Sequence, residues 1–135
     1  MRGTSARGAR LIFDTDVLIW FLRGNENARE KVLAGSPLMI SAVTYMELVQ
    51  GMRSKQELST LRKTLERLDA EILFLDGAIT ANAIAYVEEY HLSHSLEMGD
   101  ALIAATCVQY EKPLCTANDK HYKFIPGLEL DIFRP

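Results

Sequence analysis

Four short apolar runs punctuate this chain: Leu11-Ile12-Phe13, Leu38-Met39-Ile40, Ile72-Leu73-Phe74-Leu75 and Pro113-Leu114-Cys115-Thr116. Each is followed by a stretch of helical length or by a turn. An unbroken run of three or four apolar residues reads as a strand buried on both faces. Strands joined through helices must lie parallel, because a crossover rather than a hairpin connects them. The alternation therefore predicts an α/β fold: three layers, α/β/α, around a central, mainly parallel sheet of four to five short strands. The weakest strand candidate falls within Phe124 to Ile132.

The intervening segments carry helical periodicity. Asp14-Thr15-Asp16 opens a helix through Val17, Leu18, Trp20, Phe21 and Leu22, which Gly24-Asn25 breaks. A short polar helix from Glu26 to Ala34 stops at Gly35-Ser36-Pro37. Ser41 to Met52 forms the next. Lys55 to Leu68 carries a narrow stripe of Leu58, Leu61, Leu65 and Leu68 on an otherwise charged helix. Such a stripe is core, or a partner groove if left exposed. A helix from Ala78 to His91 follows. Ala101 to Ala105 is nearly all apolar and is expected to be deeply packed.

At 135 residues with 48% hydrophobic and 24% charged side chains, the chain fits one globular domain. That domain is expected to span residues 10–135, behind a basic, small-residue segment at 1–9 that reads as a flexible tail. No apolar run reaches the roughly 20 residues a membrane helix needs, and no signal-peptide core follows the first residues. The two cysteines, Cys107 and Cys115, form no C-x-x-C pair. They read as reduced, buried thiols of a cytoplasmic protein. A net charge of −3 argues against a generic basic nucleic-acid binder.

In open α/β sheets, ligands bind beyond the carboxyl ends of the strands. Four acids fall there: Asp14 after the first strand, Glu47 in the helix after the second, Asp100 at the helix before the fourth, and Asp119 in the loop after it. Asp76, in its Asp-Gly context, reads as a turn. Each acid has an ordinary structural role open to it. Asp14 and Asp100 suit helix N-caps, and Thr44-Tyr45-Met46-Glu47 matches a capping box. Caps have no reason to gather at one sheet edge, however. Converging carboxylates repel unless a cation neutralises them, and an all-oxygen set suits Mg²⁺ or Mn²⁺. His91-x-x-His94 has helical metal-pair spacing but falls at a helix end, where solvated histidines are common.

These residues lie within segments that resemble the PIN domain, and within it the VapC-type toxin ribonucleases. Leu11–Ile19 is similar to the first family motif and Ile40–Leu48, closing at Gly51, to the second. Gly99–Thr106 is similar to the third, and Leu114–Asn118 followed by His121-Tyr122 to the last. The resemblance runs in order from about residue 10 to the end. Two departures stand out. The family commonly has Asn where this chain has Asp16, and the fourth acidic position is irregular. Here Asp119 is taken as the fourth acid, with Asn118 beside it as the alternative.

The resemblance implies Mg²⁺- or Mn²⁺-dependent endonuclease cleavage of RNA. Asp14, Asp100 and Glu47 would bind the metal, Asp119 a second metal or a water, and Thr116 would orient a water or a carboxylate. It also implies a cognate antitoxin partner and a homodimer. Arg53, Lys55, Arg62, Lys63, Arg67, Lys120 and Lys123 are available for phosphates, the first five also suiting a solvated helix face. Trp20, Tyr45 and Tyr122 are candidates for base stacking, although Trp20 and Tyr45 equally suit the core or an interface. Two rival readings are a haloacid-dehalogenase-like phosphatase, whose D-x-D opening Asp14-Thr15-Asp16 mimics, and a non-catalytic protein-binding module. With the four acids set aside as a cation pocket, the basic residues are in slight excess, so the net charge does not exclude RNA.

Overall fold

The computed structural model describes residues 10–135, so the expected tail at 1–9 lies outside the described residues. Five strands form a fully parallel sheet in the order β3-β2-β1-β4-β5. They are β1 (Ile12–Phe13), β2 (Met39–Ser41), β3 (Glu71–Leu73), β4 (Leu114–Thr116) and β5 (Leu130–Ile132). Six α-helices connect them: α1 (Thr15–Leu22), α2 (Glu26–Ala34), α3 (Ala42–Gln50), α4 (Lys55–Arg67), α5 (Gly77–His94) and α6 (Met98–Tyr110). The expected three-layer α/β/α architecture is what forms, and the weak last strand is real.

Strand alternation sorts the core into two halves. Ile12, Met39 and Leu114 point to one face, where Ile79 and Ala83 of α5 and Ile103 and Ala104 of α6 cover them. Phe13, Ile40 and Cys115 point to the other, against Val17 and Leu18 of α1, Val32 of α2 and Leu61 and Leu65 of α4. Each fully buried side chain of this size stabilises the fold by roughly 1.5–3 kcal/mol. The leucine stripe of α4 is thus core: Leu61, Leu65 and Leu68 are buried and Leu58 packs beside them. α6 is buried along most of its length, as its composition requires.

β1 lies at the centre, paired with β2 through Ile12–Met39 and with β4 through Ile12–Leu114 and Phe13–Cys115. Its close cover by α2 depends on Gly35, where a Cβ would sit 2.8 Å from the Phe13 ring.

Three local expectations change. β3 ends at Leu73, and Phe74 is 73% exposed rather than part of a buried strand. α5 runs on to His94. The Thr44–Glu47 capping box does not form. Ser41 caps α3, accepting from the Val43 amide at 3.0 Å. Thr44 therefore lies inside the first turn, where its own amide and that of Glu47 are out of capping position.

Candidate active site

Because every strand is parallel, the carboxyl ends of β1, β2 and β4 open on one edge. Asp14 follows β1 and is 6% exposed. It does cap α1, its Oδ1 accepting from the Thr15 amide at 2.8 Å. Its Oδ2 accepts from the Thr116 hydroxyl at the end of β4, also at 2.8 Å. Capping and site membership are therefore one placement.

From Asp14 the contacts run round a ring. The Thr15 hydroxyl donates to Glu47 Oε1 at 2.6 Å and lies 3.1 Å from the Thr44 hydroxyl. Glu47 Oε2 lies against Gly99, where a Cβ would approach it to 3.0 Å. Asp100, next along α6, is not the helix cap; that position is Glu97. Its Oδ1 instead accepts from the Tyr122 hydroxyl at 3.2 Å, and its Oδ2 lies 3.7 Å from His121 Nδ1. The same hydroxyl opposes the rise in the Asp14 carboxyl pKa. Asp14, Glu47, Asp100 and Thr116 are thus brought together from separate segments.

Asp119 is not drawn into this ring. Its Oδ1 accepts from Arg134 Nη2 at 3.1 Å, and that cation holds its carboxyl below the usual range. Asp16 lies closer to the chemistry. Its Oδ2 accepts from the Ala117 amide at 3.1 Å and from Asn118 Nδ2 at 3.0 Å. Its Oδ1 is buried without a hydrogen-bond partner. Asn118 is thereby tied to Asp16, with its amide on the Thr116 hydroxyl at 2.9 Å.

Electrostatics follow from this crowding. Burial, and then the charge of Asp16, push the Asp14 carboxyl up to about 7, against the opposing bonds from Thr116, Thr15 and Tyr122. Burial also raises Asp16 and Asp100, the latter opposed by His121. Carboxylates in this state favour either a proton or a cation. Among the described residues, no group of three or more His, Cys, Asp or Glu side chains is gathered closely enough to hold a metal ion. Hydroxyls and amides satisfy the acids instead, as mutual repulsion dictates. The donor set nonetheless fits a hard divalent ion: every candidate ligand is oxygen, Asp16 presents an unpaired buried oxygen, and Gly99 leaves space that a side chain would fill.

The histidine pair takes separate partners. His91 Nδ1 meets the Leu96 carbonyl at 2.9 Å, while His94 stacks on Phe124 with ring centroids 4.1 Å apart. Tyr122 is 1% exposed and so is unavailable for base stacking. Trp20 and Tyr45 pack against the core. Sequence reasoning missed Thr15, Gly99 and the Tyr122 hydroxyl as parts of the site. Only Gly99, directly before the third-motif acid, offered a signal.

Beside Glu47 opens a groove of about 790 Å³, lined by Ile19, Leu22, Met52, Arg53 and Leu61 among others. Lys120, His121 and Lys123 are exposed, and His121 is the one whose distance to Asp100 is short, at 3.7 Å. No helix among the described residues is long and apolar enough to cross a membrane.

Residues 11–126 match the PIN domain family. Ribonuclease VapC10 of Mycobacterium tuberculosis is 33% identical over 125 residues, which cover 88% of this chain and 90% of that relative. A toxin-antitoxin complex from Klebsiella pneumoniae contains a chain that superposes with a TM-score of 0.74 at 28% identity, covering 87% of this chain and 94% of that one. A chain of the DNA-bound VapBC from Salmonella typhimurium superposes with a TM-score of 0.78 at 21% identity, over 92% and 98% of the two chains, and speaks to the fold. With the family match spanning most of its length and a VapC relative alongside it, the chain belongs to the PIN-domain family, in its VapC-type branch.

Proposed function

We propose that this protein is the endoribonuclease toxin of a toxin–antitoxin pair, hydrolysing RNA phosphodiester bonds with Mg²⁺ or Mn²⁺. The observation that carries the reading is the Asp14 carboxylate, buried at the sheet edge with bonds to Thr15 and Thr116 and with Asp100 and Glu47 ranged around it. A buried acid pushed up to about 7 is poorly served as an isolated anion and well served by a cation.

Asp14, Asp100 and Glu47 would hold the ion, with the unpaired oxygen of Asp16 nearby. Asp119, whose carboxylate meets Arg134, would hold a second metal or a water at the edge of the site. The bound ion would supply an acidified water and charge stabilisation for the phosphoryl oxygens. The chain's own contributions are positional. Thr116 fixes Asp14 through its Oδ2, and Thr15 fixes Glu47. The exposed Lys120 and Lys123 offer the phosphate contacts that an acidic pocket needs at its rim.

The cognate antitoxin is placed in the groove beside Glu47, whose apolar Ile19, Leu22 and Met52 suit a peptide and whose end borders the site. The same reading implies a cytoplasmic homodimer, for which the exposed Ile84, Leu92 and Met98 of α5 and α6 provide apolar surface. The phosphatase alternative requires Asp14 as a free nucleophile, yet both its oxygens are engaged and the family match points elsewhere. A non-catalytic module leaves the raised Asp14 and the unpaired Asp16 oxygen without a purpose.

The test is cleavage of total cellular RNA by purified protein with Mn²⁺, with EDTA, and with Asp100→Asn. Metal-dependent cleavage that the variant loses supports the reading. Equal cleavage by wild type and variant at matched purity ends it.

A further inference from the structure

Tyr122 is the largest fully buried side chain among the described residues, and its ring packs in the core with Ile103, Leu114 and Ile125. The backbone around it is fixed by a tight turn, with the Tyr122 amide on the Asp119 carbonyl at 3.0 Å and the Ile125 amide on the Tyr122 carbonyl at 3.0 Å. A phenol this deep has no bulk water to serve, so its hydroxyl must find a protein partner. That partner is Asp100 Oδ1, at 3.2 Å. Asp14 lies within the same hydroxyl's influence. A hydroxyl has one proton to give and cannot donate fully to both.

We propose that Tyr122 is a positioning residue for the cation site, its core-anchored hydroxyl fixing Asp100 and thereby the gap between Asp100 and Asp14. The inference rests on the metal-nuclease reading above. Asp100 sits in the first turn of α6 and is half-buried; its other oxygen lies 3.7 Å from the exposed His121, and the Glu97 backbone N–H also acts on the carboxylate. Without the hydroxyl, the carboxylate keeps only its own-helix partner Glu97 and the exposed His121, neither of which ties it to the core. With it, Oδ1 is occupied and Oδ2 is presented. Groups that orient metal-binding side chains in this way commonly contribute about 10- to 100-fold to metal affinity.

The test is Mn²⁺ titration by electron paramagnetic resonance on metal-stripped protein without RNA, comparing wild type with Tyr122→Phe. Phenylalanine refills the cavity and removes only the hydroxyl. The expected result is about tenfold weaker Mn²⁺ binding, with the metal-dependence curve of RNA cleavage shifted to higher concentration. In an Asp100→Asn background the substitution should add no further weakening. Tyr122→Leu, which also lacks the hydroxyl, supplies the same comparison if the phenylalanine variant does not fold. Unchanged or tighter Mn²⁺ binding without the hydroxyl overturns the inference and leaves the nuclease reading intact. A wild type that binds no Mn²⁺ overturns both.

Discussion

Thr116 donates its hydroxyl proton to Oδ2 of Asp14, a residue 102 positions earlier in the chain, across 2.8 Å of fully buried space. The bond joins the ends of two neighbouring parallel strands at the most buried acid of the site. Thr116→Val keeps the shape and removes the donor. A bond to a charged, buried acceptor contributes on the order of 1.5–3 kcal/mol, so urea denaturation should show a loss of that size. Cleavage should fall by at least tenfold, as Asp14 loses one of its two anchors.

The raised pKa of Asp14 sets the direction of the pH response of the metal-free protein. Its folded value, about 7, stands above its ordinary value of 3.8. The stability linked to this group is therefore complete below about 4 and lost as pH rises through 7. Asp16 and Asp100 shift the same way. Metal-free protein should melt at higher temperature at pH 5 than at pH 8. Asp14→Asn should flatten that slope, and a slope of opposite sign in scanning calorimetry would contradict the burial argument.

Gly99 separates stability from activity. Alanine is a better helix former than glycine by up to about 1 kcal/mol, and Gly99 lies in the first turn of α6. Its new Cβ, however, would meet Glu47 Oε2 at 3.0 Å. Gly99→Ala should leave the melting temperature equal or higher while RNA cleavage drops by about tenfold or more. Equal activity would show that Glu47 need not lie against α6.

Asp16 and Asp119 make opposite predictions. Asp119 is neutralised by Arg134, whereas Asp16 keeps an unpaired buried oxygen beside Asp14. Asp16→Asn should cost more cleavage than Asp119→Asn, at least tenfold against a few-fold at the same metal concentration. The reverse order would return Asp119 to the fourth acidic position.

The sheet was legible because Leu11-Ile12-Phe13, Leu38-Met39-Ile40 and Leu114-Cys115-Thr116 are short, apolar runs that suit strands buried within a parallel sheet. Asp14, Glu47 and Asp100 could be proposed as a set from the sequence because parallel topology puts their segments on one edge. What a local spacing could not reveal is that Arg134, fifteen residues on, reaches back to Asp119. The capping box misled for a related reason: Ser41 and Thr44 both suit an N-cap by type, and only the end of β2 decides which one begins the helix. Tyr122 was read by its ring, as a stacking surface. Its hydroxyl became visible only once burial removed every other partner.

The ring around Asp14 is also a timer. Its members come from segments starting at residue 14 and ending at residue 122, and the central strand that carries Asp14 is completed on one side only by β4. A ribosome-bound chain that has not yet released residues 114–122 holds Asp14 without Thr116 and Asp100 without Tyr122. The full set of contacts around Asp14 and Asp100 therefore forms only after residue 122 has been added to the chain.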